Sequence, residues 1–388
     1  MKRKEICGML EQMDIDKLNN DGPTSVFFAS GKKKKTAIVT NDREFIVVTV
    51  GNFIFKKKYR FRRSELHKCC FGERLKDKML ITFTLFIIII NIAAAYHAYK
   101  FTHYSKNEDL QRTDSNKLTL IDKVKVLIFG VDNPRPKNLQ SPEQQYEIIY
   151  LESNKQIECW RIVASESKGN VVLFHGFASE KSSMLGRANE FIDLGYSVLL
   201  VDFMGSGGSE GNQTTIGYYE AEEVKTCYEY LAQKKEEDIY LYGTSMGAAA
   251  ILKALKDYDL KPEGIILECP FGTMYKTVGN RFTNMGVPQI PFVPLLVFWG
   301  GLVNDFWGFS HNPVNYANYV SCPTLLLYGE KDPKVTKGEI TEIFENLNGK
   351  KVLNQYEHAG HDDIYSNNTE QWIKDIIDFM SLCQEDKH

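Results

Sequence analysis

The stretch with the clearest capacity for chemistry is Gly243-Thr-Ser-Met-Gly247, which matches the pattern Gly-x-Ser-x-Gly. Residues 238–242 before it alternate as a buried strand does, and residues 248–255 after it favour a helix. A serine on so tight a strand-to-helix turn has a strained backbone, and its neighbours two positions away must be small. The pattern therefore predicts that Ser245 is a nucleophile on a sharp turn, a nucleophile elbow.

A serine hydroxyl attacks only when a base removes its proton and a third group orients that base. The candidate bases in this part of the chain are His175, His311, His358 and His361. His361 stands in Ala359-Gly-His-Asp-Asp, between the last predicted strand and the final predicted helix. The adjacent glycine lets this loop bend back towards the serine. We expect His361 to be the base, with His358 as the alternative.

The group that orients the base is expected to be Asp332. It lies in Gly329-Glu-Lys-Asp-Pro333, just past a predicted strand, and loops at the carboxyl ends of sheet strands are where such a fold places its site. Glu330 beside it and Glu268 at the end of the preceding strand are the alternatives. The resulting order, serine then acid then histidine, is the one expected after such an elbow.

Two backbone N–H groups are expected to hold the oxyanion. Met246 follows the serine at the start of the helix, where the helix dipole favours negative charge. Gly176 allows a sharp turn after the strand at residues 170–175, which would bring the Phe177 N–H to the serine. His175 is expected to brace this loop through a hydrogen bond.

From residue 144 onwards, strand-like runs alternate with helical patterns. The strand-like runs lie at residues 146–151, 157–163, 170–175, 197–202, 238–242, 264–268, 324–328 and 351–356. Helical patterns lie at about 183–194, 217–234, 245–257, 337–347 and 369–383. An initial hairpin followed by βα alternation predicts an α/β fold, with a mostly parallel sheet flanked by helices on both faces.

Five motifs in this order resemble successive signatures of the α/β-hydrolase family, over residues 144–383 only. They are His175-Gly-Phe177, Asp202-Phe-Met-Gly-Ser-Gly-Gly-Ser-Glu-Gly211, Gly243-Thr-Ser-Met-Gly247, Cys322-Pro-Thr-Leu-Leu-Leu-Tyr-Gly-Glu-Lys-Asp332-Pro and Gly360-His361. They are most similar to its serine aminopeptidase-like and Bem46-like lipase/esterase branch. The resemblance implies the triad Ser245, Asp332 and His361, with Phe177 and Met246 as oxyanion donors. Many relatives carry Arg where this chain has Met204, so the loop at residues 202–211 is not expected to be held by the contacts that are usual in the family.

An apolar insertion at about residues 273–313 has a composition of its own. Pro288, Pro291 and Pro294 would break any membrane-spanning helix there. In the family that the chain resembles, this position carries a lid that shapes the acyl pocket, and an apolar lid suggests an acyl chain or lipid ester. The alternative is that these aromatic residues only pack onto the sheet.

Residues 79–99 predict one transmembrane helix. These 21 residues contain no Lys, Arg, Asp or Glu, and as a helix they would span roughly 30 Å, the thickness of a bilayer core. Ten Lys or Arg lie in residues 56–78 and four in residues 100–120. The positive-inside rule then predicts a single-pass protein with a cytoplasmic N-terminus and an extracytoplasmic C-terminal domain.

The rest of the chain divides around this helix. Residues 1–78 predict a small basic β-rich module, with strands at residues 36–40, 44–50 and 52–62. Residues 100–143 are polar and predict a linker, and residues 144–388 are the predicted hydrolase domain. The role of the module, the oligomeric state and the natural substrate are not indicated by these patterns.

Composition narrows the function further. A net charge of −3 offers no basic surplus for nucleic acid. The eight cysteines form no Cys-x-x-Cys pair, and acids and histidines are not clustered at ligand spacing, so neither a metal nor a cofactor is predicted. We expect a membrane-anchored serine hydrolase that cleaves a lipid, acyl or thioester substrate. The alternatives are a serine peptidase or amidase of the same fold, and a non-catalytic membrane sensor or binding protein.

Overall fold

A computed structural model describes residues 25–31, 34–41, 44–50, 57–105, 130–236 and 238–385, with isolated positions between 107 and 126 and with side chains from residue 77 onwards. The chain divides into two compact units, Met1–Ile90 and Asn91–His388. Each unit has its own sheet.

The first unit contains a four-stranded antiparallel sheet with its strands in sequence order. The strands are β1 (Ser25–Gly31), β2 (Lys34–Asn41), β3 (Glu44–Val50) and β4 (Lys57–Arg62). The sequence predicts three of them. It misses β1, which ends in Ala-Ser-Gly, residues that carry little strand propensity. The predicted start of the last strand, at residues 52–56, lies outside the described residues.

Helix α1 (Arg63–Thr102) follows directly and is 40 residues long. Its part from Asp77 to Thr102 is the one helix, within the described ranges, that is long and apolar enough to cross a membrane. Only 6 % of its most apolar window is buried. Large apolar side chains such as Ile92 and Tyr96 are exposed on it, as expected for a helix whose surroundings are lipid.

The second unit contains an eight-stranded sheet. Its strands are β5 (Glu147–Glu152), β6 (Gln156–Ile162), β7 (Asn170–Phe174), β8 (Ser197–Val201), β9 (Ile239–Thr244), β10 (Gly264–Glu268), β11 (Thr324–Gly329) and β12 (Lys351–Tyr356). They are ordered β12-β11-β10-β9-β7-β8-β6-β5. β7 to β12 run parallel, and β5 and β6 form an antiparallel hairpin at one edge. The predicted α/β fold is confirmed.

Helices alternate with these strands and flank the sheet. They are α2 (Leu185–Asp193), α3 (Glu220–Gln233), α4 (Met246–Asp257), α5 (Met274–Asn284), α6 (Phe292–Leu302), α7 (Pro313–Tyr316), α8 (Lys337–Asn346), α9 (Ile364–Asn367) and α10 (Thr369–Glu385). Every residue of β7, β8, β10 and β11 is buried. Their continuous apolar sequences, without polar alternation, follow from burial on both faces.

The insertion between β10 and β11 contains the helices α5 and α6. Thr273 caps α5 by accepting a hydrogen bond from the Lys276 N–H. Pro294 is tolerated because it lies in the first turn of α6, where its missing N–H would have no partner within the helix. Val293 and Val297, one helical turn apart, are buried against the domain.

Residues 130–142, within the predicted linker, lie on the second unit through specific hydrogen bonds. Both terminal nitrogens of Arg135 donate, to the carbonyls of Gly207 at 2.8 Å and Ser209 at 2.6 Å. The Gly207 N–H donates to the Pro136 carbonyl at 3.0 Å. This part of the chain therefore braces the glycine-rich loop after β8.

His311, at the end of the insertion, generates a prediction about pH. Its ring is fully buried and lies 2.9 Å from the Ile216 carbonyl through Nε2, and burial lowers the pKa of His311 from 6.5 to about 4. Between pH 6.5 and about pH 4, His311 therefore binds a proton in the unfolded chain but not in the folded one. The free energy of unfolding should therefore fall as pH falls through this window, by about 2 kcal/mol between pH 7 and 5.

His311→Gln, which keeps a donor for the Ile216 carbonyl, should remove this part of the pH dependence. The measurement is urea unfolding of the solubilised full chain at pH 7 and pH 5. His358→Gln, at an exposed position, controls for the loss of a histidine. An unchanged pH slope in His311→Gln would contradict the prediction.

Candidate active site

Ser245 lies on the sharp turn between β9 and α4. Its φ of 49° is in the left-handed region, which is strained for a residue with a side chain. A Cβ added to Gly243 would lie 2.5 Å from the Gly247 carbonyl carbon, and one added to Gly247 would lie 2.4 Å from the Phe174 oxygen. Both glycines are therefore required by close backbone approach, as the sequence pattern predicts.

The structure brings Ser245, His361 and Asp332 together. His361 Nε2 lies 2.9 Å from Ser245 Oγ, and His361 Nδ1 lies 2.6 Å from Asp332 Oδ2. The side chain of Asp332 is fully buried and that of His361 nearly so. A neutral imidazole that donates from Nδ1 to the carboxylate has Nε2 available to accept the hydroxyl proton.

Asp332 is held in place by its own loop. Its Oδ1 accepts hydrogen bonds from the N–H groups of Lys334 at 2.6 Å and Val335 at 3.0 Å. The other oxygen, Oδ2, faces His361. Two backbone donors on one oxygen fix the orientation of the Asp332 carboxyl group.

The alternative acids have other partners. Glu268 is buried and bonded to Arg187, whose Nη2 donates to its Oε1 at 2.6 Å, and to the Tyr242 hydroxyl. Burial and the charge of Glu268 raise the pKa of Tyr242 well above its usual range, so Tyr242 stays a donor. Glu330 is exposed and pairs with Lys337.

The alternative bases also lie elsewhere. His358 is exposed, with its Nδ1 3.5 Å from Lys331 Nζ. His175 is buried: its Nδ1 bonds to the Gly176 carbonyl at 2.8 Å, and its Nε2 accepts the Phe203 N–H at 3.1 Å. Burial lowers the pKa of His175, which keeps the ring neutral. His175 therefore joins the loops after β7 and β8, the bracing role expected for it.

Met246 and the turn that precedes Phe177 both lie beside the serine. Met246 is the first residue of α4, so its N–H has no acceptor within the helix. A Cβ added to Gly176 would lie 3.7 Å from Ser245 Cβ, which places the turn leading to Phe177 next to the nucleophile. The Phe177 ring stacks on Phe101 of α1, with ring centroids 4.6 Å apart.

Cys269 is a neighbour of the site that sequence reasoning missed. It follows β10 directly, with φ 48°, and its thiol contacts Asp332. The ligand atoms of Cys269, Asp332 and His361 all lie within 4.8 Å of one another. However, Asp332 and His361 are already hydrogen-bonded to each other, and His361 Nε2 to Ser245. Burial, with the charge of Asp332, raises the pKa of the Cys269 thiol well above its usual range. The donors therefore suit a hydrogen-bonded triad better than a metal ion.

The glycine-rich loop after β8 is braced without the arginine that Met204 replaces. The Met204 N–H donates to Glu223 Oε2 at 3.0 Å. Asp202 accepts from the Lys181 N–H at 2.8 Å and from the Lys181 ammonium. Together with Arg135, these buried groups hold the loop. The role of Arg135 was not predicted, because nothing in the polar segment around it indicates a contact with residues 72 and 74 positions further along the chain.

The sheet order and the turn at Ser245 define the class of fold: the chain has the α/β-hydrolase fold, and its five motifs resemble those of proteins with this fold. A family model described as serine aminopeptidase, S33 matches residues 165–299. This matched region contains Ser245 and ends before Asp332 and His361.

Known proteins agree with this assignment. The uncharacterized protein YqkD of Bacillus subtilis (strain 168) is 23 % identical over 228 residues, which are 58 % of this chain and 75 % of that protein. The lysophosphatidylserine lipase ABHD12 of Danio rerio is 27 % identical over 169 residues, 41 % of this chain and 43 % of that protein. The match thus spans less than half of the lipase. An esterase of Pyrococcus furiosus has the same fold, with a TM-score of 0.53 and 23 % identity, over 65 % of this chain and 97 % of the esterase.

The elbow generates a prediction about Gly247. Gly247→Ala would place a methyl group against the Phe174 carbonyl. It should lower the free energy of unfolding by about 1–3 kcal/mol and reduce labelling of Ser245 by a fluorophosphonate at least tenfold. Gly338→Ala is the matched control, since its added carbon meets only Thr336 Oγ1, at 3.9 Å. The close-approach argument fails if both variants behave as wild type.

Proposed function

We propose that this chain is a membrane-anchored serine hydrolase that cleaves an ester of a lipid or other acyl group. The observation that carries the proposal is the hydrogen-bonded series Asp332–His361–Ser245 on a strained turn. A structural serine has no need of a positive φ, a bonded imidazole and a buried carboxylate together.

In the proposed mechanism, His361 takes the Ser245 proton as Oγ attacks the carbonyl carbon. Asp332 stabilises the imidazolium that forms. The N–H groups of Phe177 and Met246 hold the oxyanion of the tetrahedral intermediate. His361 then gives its proton to the leaving alcohol, an acyl-enzyme forms on Ser245, and water, deprotonated by His361, releases the acid.

Support for a lipid ester comes from two sources. The lysophosphatidylserine lipase relative is named for a lipid substrate, and the insertion beside the site is apolar. The description of the matched family model, serine aminopeptidase, favours a peptidase as the second candidate. The two candidates are separated by measuring hydrolysis of lysophosphatidylserine and of an aminoacyl nitroanilide with the purified full chain. A lipid esterase should hydrolyse the first substrate and a peptidase the second.

We further propose that α1 crosses the membrane once, with residues 1–78 in the cytoplasm and the hydrolase domain outside. Support comes from the length and exposed apolar surface of α1 and from the excess of basic residues before it.

The first test is labelling of whole cells with a fluorophosphonate that cannot cross membranes. Wild type should be labelled in intact cells and Ser245→Ala should not. Labelling only after lysis would keep the enzyme and reverse the proposed orientation. No labelling of solubilised wild type would contradict the hydrolase.

A second test concerns the acid. Asp332→Asn should lower kcat by about 10²–10⁴, because it removes the charge that orients and stabilises His361. Glu330→Gln is the matched control: it is two residues away and exposed, so its kcat should stay within twofold of wild type. Equal kcat values in the two variants would remove Asp332 from the mechanism.

A further inference from the structure

One face of α1 is covered by the hydrolase domain. Ala94 and Ala98 are buried on it, whereas Ile92 and Tyr96 on the other sides of the helix are exposed. Asn91 and Thr102 extend the covered face at helical spacing. A helix emerging from a membrane thus has one side packed on protein while its other sides still face outwards.

The element that covers this face is α6 of the insertion. Trp299 Nε1 donates to Asn91 Oδ1 at 3.0 Å, and Asn304 Nδ2, just past α6, donates to Thr102 Oγ1 at 3.1 Å. A Cβ added to Gly300 would lie 3.8 Å from Ala98 Cβ, so the two helices approach closely there. Small residues at such a contact are typical of helices that pack within membranes.

These contacts fix the depth of α6 relative to the proposed span. The uncharged run ends at Tyr99, and Asn91 lies eight residues before it. At 1.5 Å per residue, Asn91 lies about 12 Å inside that end, within a half-bilayer core of about 15 Å. The Trp299 ring, bonded to Asn91, must reach a similar depth.

The exposed side of the insertion is apolar, as its depth within the bilayer core requires. We call its exposed apolar side chains the lid surface: Ile290, Phe298, Leu302, Trp307 and Phe309. The ring of Trp307 lies 6.1 Å from Phe298 and 5.1 Å from Phe309, centroid to centroid. Asp305 is the only charged residue from 285 to 310. An exposed apolar patch of this kind is a site of interaction with a partner or a membrane.

We propose that the lid surface is immersed in the membrane leaflet from which α1 emerges, and that the ester substrate reaches Ser245 from that leaflet without passing through water. This inference rests on the proposed function, since it assumes that α1 spans the membrane. Lipid, rather than a second copy of the chain, covers the lid surface in this proposal. The reason is that α6 lies alongside α1 at a depth where lipid surrounds the helix, and contact with a second copy would not require that depth.

The route from the leaflet to the nucleophile is short. Phe101, at the end of α1, stacks on Phe177, and the adjacent Gly176 lies against Ser245. The guanidinium of Arg281, in α5, lies 5.5 Å from the centre of the Phe101 ring. An acyl chain drawn up along α1 would therefore arrive beside the proposed oxyanion donor.

The four tryptophans allow a direct test of immersion. Trp160 and Trp372 are buried in the domain core, whereas Trp299 and Trp307 belong to the insertion. The full chain is reconstituted in vesicles of phosphatidylcholine brominated at mid-chain, which quenches nearby indoles. Wild-type emission should be quenched, and Trp307→Phe should remove part of the quenched emission without disturbing a buried contact.

The double variant Trp299→Phe/Trp307→Phe, with only the core indoles left, should show no quenching. No quenching of wild type overturns the proposal, and a dimer in that case would assign the lid surface to a second copy. Quenching that persists in the double variant also overturns it. Quenching requires no catalysis, so the two proposals can fail separately. If tryptophan emission is quenched but Ser245 is not labelled by the fluorophosphonate, the proposed function is rejected and the immersion of the lid surface is still supported.

Substrate entry is tested with Leu302→Asp, on the lid surface, and Val163→Asp, a matched exposed apolar position that follows β6 directly. Leu302→Asp should lower hydrolysis of a long-chain monoacyl ester in vesicles at least tenfold. Hydrolysis of soluble nitrophenyl acetate should stay within twofold, and Val163→Asp should change neither. An equal loss on both esters, or none on the vesicle ester, would overturn entry from the leaflet.

Discussion

The backbone around Ser245 leaves no space for side-chain carbon at the positions two residues before and after it. The start of α4 lies against the backbone of β7 and β9 at distances that only hydrogen atoms allow. This contact holds Ser245 at its positive φ and leaves the first N–H groups of α4 beside it. The loops after β7, β11 and β12 converge on the same point, because the carboxyl ends of parallel strands meet at one edge of the sheet.

Around this turn, three buried carboxylates have defined partners. Glu268 is paired with Arg187, Asp202 with Lys181, and Asp332 with His361 and two backbone N–H groups. Burying a charge is costly unless it is paired and hydrogen-bonded. Glu268 is paired with Arg187 and Asp202 with Lys181, whereas Asp332 is the one of these three carboxylates that faces His361.

The contact between α1 and α6 connects the proposed membrane anchor to the candidate active site. A helix used only as a tether needs no specific hydrogen bonds to the domain it carries. Here Asn91 and Thr102 bond to Trp299 and Asn304, and Phe101 stacks on the loop beside Ser245. The end of α1 from Asn91 onwards, the insertion and the turn at Ser245 therefore form one packed structure. This packing is the physical basis of the proposed supply of an apolar substrate from a membrane.

The sequence by itself determined the strands of the larger sheet and five of the helices around it, but not β1 or the helices of the insertion. The periodicity of apolar residues predicted the eight strands of the larger sheet within one or two residues, and the glycines around Ser245 predicted the turn, because both signals are local. The sequence also placed His361 ahead of His358 and Asp332 ahead of Glu268, but only the tertiary structure shows which of these side chains meet, since that depends on which loops converge. Tertiary structure also decided that Arg135 braces the loop after β8 and that Trp299 meets Asn91, 208 residues away in sequence. Pairings over such separations leave no local pattern, because they depend on how the whole chain packs.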